Sequence, residues 1–308
     1  MKKMLLVLLL FYALVLSMWG YQQWTKPYAL PKLNEDVKWA DYRLDFREEA
    51  ILHQAVQSGE ITPLAPVSSI EHTEMADQAY MYALEKGDIA LLKQLVTFSP
   101  AQLAYSTSLR IQMTEAGRTE ELMDFWAQLP QDEYPDIRLQ KALTYIDMLQ
   151  DPSIGTAKLG QYSYQSIAEL ERILDAYPYD WMAHYARGIN NLYWPVGLKR
   201  IDKAIQDLSF CVSVARSYAD RQTQLWPMAY TALGDALVKK GEVSQGIKVW
   251  SEGYDRYPDF AELEERMRAG EEGAVKLVAS MRGMEQFQRP QPDLTHIQQI
   301  WTDQSAGE

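Results

Sequence analysis

The sequence predicts an all-α protein: about five helix-turn-helix hairpins following one N-terminal transmembrane helix. Three observations lead there. The chain opens on an uncharged, almost wholly apolar run from Met4 to Trp19. From Ser69 to about Met281 one helical pattern follows another, with almost no period-two alternation. Turn signals interrupt that pattern at short intervals, at Lys86-Gly87-Asp88, Ala116-Gly117-Arg118 and Lys240-Gly241-Glu242.

The N-terminal element spans residues 1–24. Lys2 and Lys3 precede the apolar run. Sixteen helical residues reach only about 24 Å, short of a ~30 Å hydrocarbon layer, and the flanking residues to Trp24 close the gap. Trp19, Tyr21 and Trp24 are the aromatic types that settle at headgroup level. "VLSMWGY" offers no small-x-small cleavage site, which favours an uncleaved signal anchor over a cleaved signal peptide. A cleaved segment would leave a secreted protein. The lysines place the N-terminus in the cytoplasm and everything from Thr25 outside, in a periplasm or at a cell surface, with the bilayer contacted through residues 4–24.

Residues 25–68 read as an extended spacer, from the prolines of "TKPYALPKLNED", plus an amphipathic segment from Trp39 to Val56. Tyr42, Phe46, Ala50 and His53 are spaced along one of its faces. Residues 69–285 form the helical domain. Residues 286–308 read as a disordered, polar, Gln-rich tail with one short apolar stretch, "IQQIW", able to fold back as a plug.

Within the helical domain the clearest unit is Pro227 to Pro258, "PMAYTALGDALVKKGEVSQGIKVWSEGYDRYP". Tyr230, Leu233-Gly234, Leu237, Gly246, Trp250, Gly253 and Pro258 fall at the spacing of the tetratricopeptide repeat, which the unit resembles. Small residues at Gly234, Gly246 and Gly253 let two helices approach closely, while Leu233, Leu237 and Trp250 fill the seam. Weaker units precede it. One carries Leu109, Met113, Leu122, Trp126 and Leu129; another ends at Pro100. Ile137–Leu149 and Tyr164–Tyr177 form a pair across the loop "QDPSIGTAKLGQ". The resemblance implies a right-handed α-solenoid whose groove accepts a protein or peptide.

The stretch from Arg187 to Arg200, "RGINNLYWPVGLKR", belongs to the unit before the clear one. Ala186 takes the place of Gly234, and Ala204 that of Gly246. Their separation is eighteen residues against twelve, so six extra residues lengthen the inner turn. Leu208 and Cys211 then fall where Trp250 and Gly253 fall. Pro195 ends the first helix and Gly197 is expected to help the reversal. On this register Arg187, Asn190 and Asn191 line the groove beside exposed Tyr193 and Trp194, with Thr231, Asp235 and Lys239 following from the next unit. These eight residues are the candidate partner-binding set. The alternative is that Tyr193 and Trp194 simply cap the hydrophobic seam.

Composition narrows the function further. With 42 Asp and Glu against 30 Lys and Arg, the net charge of −12 repels nucleic acid. The single cysteine, Cys211, falls on an apolar helix face and reads as core. His53, His72, His184 and His296 lie far apart, and His72 with Asp77 reads as a solvated helix start. "AELEERMRAGEE" reads as a solvated helix face with i,i+4 pairs. No nucleotide-binding, nucleophile-elbow or metal-ligand signature is present, so no cofactor, no metal and no enzymatic activity are expected. The expectation is a membrane-anchored extracytoplasmic scaffold that binds a protein or peptide and assists an envelope complex. A small-molecule-binding accessory of a transport system, with its pocket near Trp194, is the alternative.

Overall fold

A computed structural model of the chain describes residues 2–59, 63, 70, 72–221, 223, 225–295 and 297, and for residues 2–9, 23, 292 and 293 the backbone alone. The described residues form thirteen α-helices and no strand. After α1 (Lys2–Thr25) and α2 (Arg47–Ser58) come five helical hairpins. They are α3 (Thr73–Lys86) with α4 (Ile89–Phe98), α5 (Leu103–Glu115) with α6 (Thr119–Gln128), and α7 (Pro135–Met148) with α8 (Thr156–Ala176). Then follow α9 (Trp181–Leu192) with α10 (Ile201–Ser217) and α11 (Leu225–Lys240) with α12 (Val243–Arg256). Helix α13 (Ala261–Arg282) comes last. From α3 onward each element packs mainly on its neighbours in the chain, an order that fits an α-solenoid.

The expected turns form for identifiable reasons. Gly87, Gly117 and Gly241 all take positive φ, at 64°, 69° and 98°, where a side chain would be strained. Asp88 caps α4 by accepting from Leu91 N at 3.0 Å, and His72 caps α3 by accepting from Met75 N at 3.2 Å. The predicted close approach of α11 and α12 is tight. A Cβ on Gly234 would lie 2.2 Å from the Trp250 ring, and one on Gly246 2.7 Å from the Gly234 carbonyl. In α9 and α10 a close approach falls at Gly188, against Leu208.

Three sequence expectations need correcting here. The loop before Tyr164 is shorter than expected, because α8 already begins at Thr156. The segment from Trp39 to Val56 is broken at Arg43, whose φ of 53° separates a short 3-10 turn from α2. The acidic stretch at the start of α13 is not wholly solvated. Arg268 and Glu264 do pair on the surface, but Arg266 is buried on Asp235 of α11.

Helix α13 itself is folded in two at Gly270, whose φ 62°, ψ −171° is open to glycine alone. Arg266 and Arg282 both reach the Asp235 carboxylate. A straight helix would set them about 24 Å apart, so the two arms must turn back on each other.

The core has two apolar clusters. One joins α3–α6 with Leu52 of α2 and Ile137 of α7. The larger one joins α7–α13 with Leu103 of α5 and Ala50 of α2, and takes in Tyr42, Leu44, Phe46 and Ile297 from outside the α-helices. The expected extended spacer, residues 25–36, touches the domain through Tyr28 and Leu30, and the start of the expected amphipathic segment is packed on it. Trp39 meets Tyr218 and Trp226, Tyr42 meets Tyr179, Phe210 and Tyr218, and Arg43 pairs with Asp136 and Asp180.

Where a transmembrane helix was expected, the chain is helical as α1, unbroken from Lys2 to Thr25, but its spanning character is not supported. Among the described residues no helix is long and apolar enough to cross a membrane. The side chains of Met4 to Leu9, the first part of the apolar run, lie outside the described residues.

Candidate functional site

The lengthened turn between α9 and α10 is where three parts of the chain meet. Helix α9 ends at Leu192, Pro195 precludes its continuation, and a 3-10 turn spans Val196–Leu198. The left-handed residue that reverses the chain is Lys199, φ 56°, not Gly197. From one side Trp24 of α1 donates its indole N–H to the Leu198 carbonyl at 2.8 Å and packs on the Trp194 ring. From the other side the C-terminal segment runs past. Val196 N donates to Met284 O at 2.9 Å, Gln288 N donates to Tyr193 O at 3.4 Å, and Phe287 packs edge-on against Trp194.

That C-terminal segment continues across the first helices of the hairpins. Arg289 donates to the carbonyls of Leu149, Asp151 and Ile154, in the loop that follows α7. Gln150 donates to the Pro290 carbonyl at 2.6 Å. Buried Arg110 of α5 donates to Gln140 and Asp147, and also to the Thr295 carbonyl. The Thr295 hydroxyl donates to Asp147. Ile297 then lies buried beside a small cavity of about 10 Å³ lined by Arg43, Phe46, Leu103, Asp136, Leu139, Asp180 and Met182. Of the tail read as disordered, the described part is thus seated along the hairpins. Of "IQQIW", only Ile297 is within the described residues.

All eight candidate residues are buried. Arg187 clamps Asp207 through Nε at 2.9 Å and Nη2 at 2.8 Å. Asn190 is bonded to Ser163 of α8, and Asn191 donates to the Tyr28 hydroxyl and the Arg187 carbonyl. Tyr193 and Trp194, expected to be exposed, are 1% and 8% exposed. The Tyr193 hydroxyl accepts from Arg282, and the Trp194 N–H is donated to Ser163 Oγ at 2.7 Å. Thr231 bonds back to Pro227 O. Asp235 holds Arg266 and Arg282, and Lys239 Nζ donates to the carbonyls of Leu192 and Arg282, each at 2.8 Å. Exposure failed as an expectation because the residues that cover this surface come from both ends of the chain.

The electrostatics follow from burial. Desolvation alone would raise the Asp235 carboxyl, but the two guanidinium groups outweigh it and hold it low. Lys239 is pushed down to about 8 by burial and then by the charge of Arg282. Tyr28, lying under the Arg187 guanidinium at 3.6 Å, is pushed up to about 12, mainly by burial. Cys211 is buried, as expected, and burial pushes its thiol well up, which suppresses reactivity.

Sequence reasoning missed Arg110, Asp147, Asp207, Arg266 and Arg282. Their signal was weak but present: each is a charge set within a helix's apolar stripe, such as Arg110 between Leu109 and Met113. A charge there must find a partner on another helix.

An open cleft of about 590 Å³ lies near the α6–α7 junction, lined by Leu129, Pro130, Asp132, Glu133, Arg138 and Arg172 among others. Arg138 is already committed there to Glu169 and Asp132. The space around Trp194, where a small-molecule pocket was considered, is occupied by Trp24, Phe287 and Ser163.

Fold and site together define a class: an all-helical protein of consecutive hairpins, with its own C-terminal segment lying across them. No family model matches the chain, and no curated protein or solved structure is significantly similar to it.

Proposed function

We propose that the protein is a membrane-anchored, extracytoplasmic scaffold of the tetratricopeptide type, without enzymatic activity. Its hairpins form an α-solenoid groove for an extended peptide of a protein partner, and it serves in assembling or stabilising an envelope complex. The observation that carries this reading is the way residues 284–295 and Ile297 are held. Gln150 and Arg110 grip main-chain carbonyls, while Phe287 and Ile297 enter apolar seats. This is how peptide-recognising surfaces divide affinity from selectivity. The chain's own segment sits where a partner's would go, so a partner has to compete with it. The close approach at Gly234 and Gly246 supports the repeat assignment.

The anchor reading rests on the apolar run from Met4 to Trp19 and on the exposed rings and aliphatics from Leu10 to Tyr21. With Lys2 and Lys3 in the cytoplasm, the hairpins lie in the periplasm or at the cell surface.

The test compares the full chain with a version ending at Gly283, titrated with a labelled peptide of residues 284–297. Saturable binding to the truncated form, and weak or no binding to the full chain, is expected. A truncated chain that keeps its helical circular dichroism yet ignores the peptide contradicts the groove.

A further inference from the structure

Two cations near the end of α1 have no carboxylate partner among the described residues. Arg200 is 3% exposed, its Nε has no acceptor among the described residues, and its guanidinium lies 4.2 Å from the Trp24 ring and 5.6 Å from Trp194. Lys203, one turn on, is 6% exposed and stands 4.7 Å over the Tyr28 ring, with no ion pair among the described residues. The nearby acids are otherwise engaged. Asp207 takes Arg187 and His184, and Asp202 takes Lys240. Glu171 acts on both cations only at long range, outside ion-pair distance. Burial and the charges of Arg200 and Arg187 push the Lys203 ammonium down to about 8.

Such an arrangement is costly, since a buried charge ordinarily carries its partner with it. In a chain with 42 acidic residues the omission is all the more unusual. Its position indicates what the missing partner is. Lys199 reaches the Tyr21 ring at 5.5 Å, and Trp24 is stacked on Tyr164, which is itself 53% exposed. The exposed side chain of Leu198 lies beside them. Tyr21 and Trp24 follow directly on the apolar run that ends at Trp19. An anchored α1 therefore sets Lys199, Arg200 and Lys203 at the depth of the lipid phosphates.

We propose that Arg200 and Lys203, framed by Trp24, Tyr28 and Trp194, form a binding site for the phosphate of an anionic phospholipid headgroup. The proposal rests on the anchor reading above. A guanidinium and an ammonium on one side of a phosphate supply charge-assisted hydrogen bonds, and the rings exclude water around them. Bound there, a phospholipid would fix the hairpin stack against the bilayer rather than leave it swinging from α1.

The experiment uses the full-length protein in detergent micelles doped with phosphatidylglycerol or with phosphatidylcholine, read by native mass spectrometry. One retained phosphatidylglycerol is expected, with no retained phosphatidylcholine. The Arg200→Gln, Lys203→Gln double variant should lose at least about tenfold in retention, one charge-assisted contact or more. Lys276→Gln, on exposed α13 surface, should match the parent, and Arg200→Lys should recover part of the loss. Equal retention of the two lipids, or an unaltered double variant that melts like the parent, overturns the site. Inorganic phosphate competing as tightly as the lipid overturns the lipid as source and reassigns the site to free phosphate. Flotation with pure phosphatidylcholine vesicles tests the anchor separately. Protein that floats there but shows no phosphatidylglycerol preference loses only this site, and protein that floats with no vesicle loses the anchor and the lipid together.

Discussion

Hairpins α9–α10 and α11–α12 are neighbours built to one plan, yet they differ at the inner turn. Between α11 and α12 the reversal takes Gly241 and Glu242 and, among the described residues, receives neither end of the chain. Between α9 and α10 it takes residues 193–200, and those residues hold Trp24 of α1 and Met284, Phe287 and Gln288 of the C-terminal segment. The short turn lets glycines bring two helices together. The long one keeps a close approach at Gly188 and adds a junction for both ends of the chain. A longer surface loop costs little entropy to close, so it can be kept for what it holds.

Asp235 and Arg282 couple the two hairpins, because Arg282 bonds both the α11 carboxylate and the Tyr193 hydroxyl. Breaking that link has the largest expected effect. Asp235→Ala strands Arg266 and Arg282 in the core and should cost about 3–5 kcal/mol in denaturant unfolding, with hydrogen exchange rising in both hairpins. Trp194→Ala should cost about 3 kcal/mol and act on the long turn alone. Limited proteolysis should then cut at residues 284–290 while α11–α12 amides stay protected; equal loosening of both hairpins would deny the division.

Gly234→Ala is the reciprocal change. Its Cβ would stand 2.2 Å from Trp250, and overpacking of this kind costs about 1–3 kcal/mol. Exchange should increase in α11–α12 and leave the C-terminal segment protected. The smallest effect concerns Lys239, which reaches from α11 to the Leu192 carbonyl. Its folded value of about 8 lies below the ordinary 10.5, so the unfolded chain binds the proton more tightly. Stability from this group therefore rises with pH between those two values and is flat below them. Against Lys239→Met, the parent should gain in Tm across that window; a constant difference would show that Lys239 is not desolvated.

Much of the architecture was legible in the residues. The 3.6-residue periodicity marked the helices, the turn glycines marked the hairpins, and Gly234, Gly246 and Gly253 marked the tight seam, because such features depend on neighbours close in the chain. The candidate site was legible only as a list of polar residues at one turn. Arg187, Asn190, Asn191 and Asp235 look like groove-lining donors and acceptors until Asp207, Ser163, Tyr28, Arg266 and Arg282 are brought to them.

By itself, then, the sequence determined the all-helical class, the hairpins, the core thiol Cys211 and the apolar character of the N-terminal run. The tertiary structure alone decided that the chain from Leu30 to Phe46 packs on the domain, that α13 folds back at Gly270, and that residues 284–295 and Ile297 lie across the hairpins. The reason is range. Periodicity and turn chemistry are written within a few residues, whereas a buried charge is settled by a partner that only folding brings within hydrogen-bonding distance.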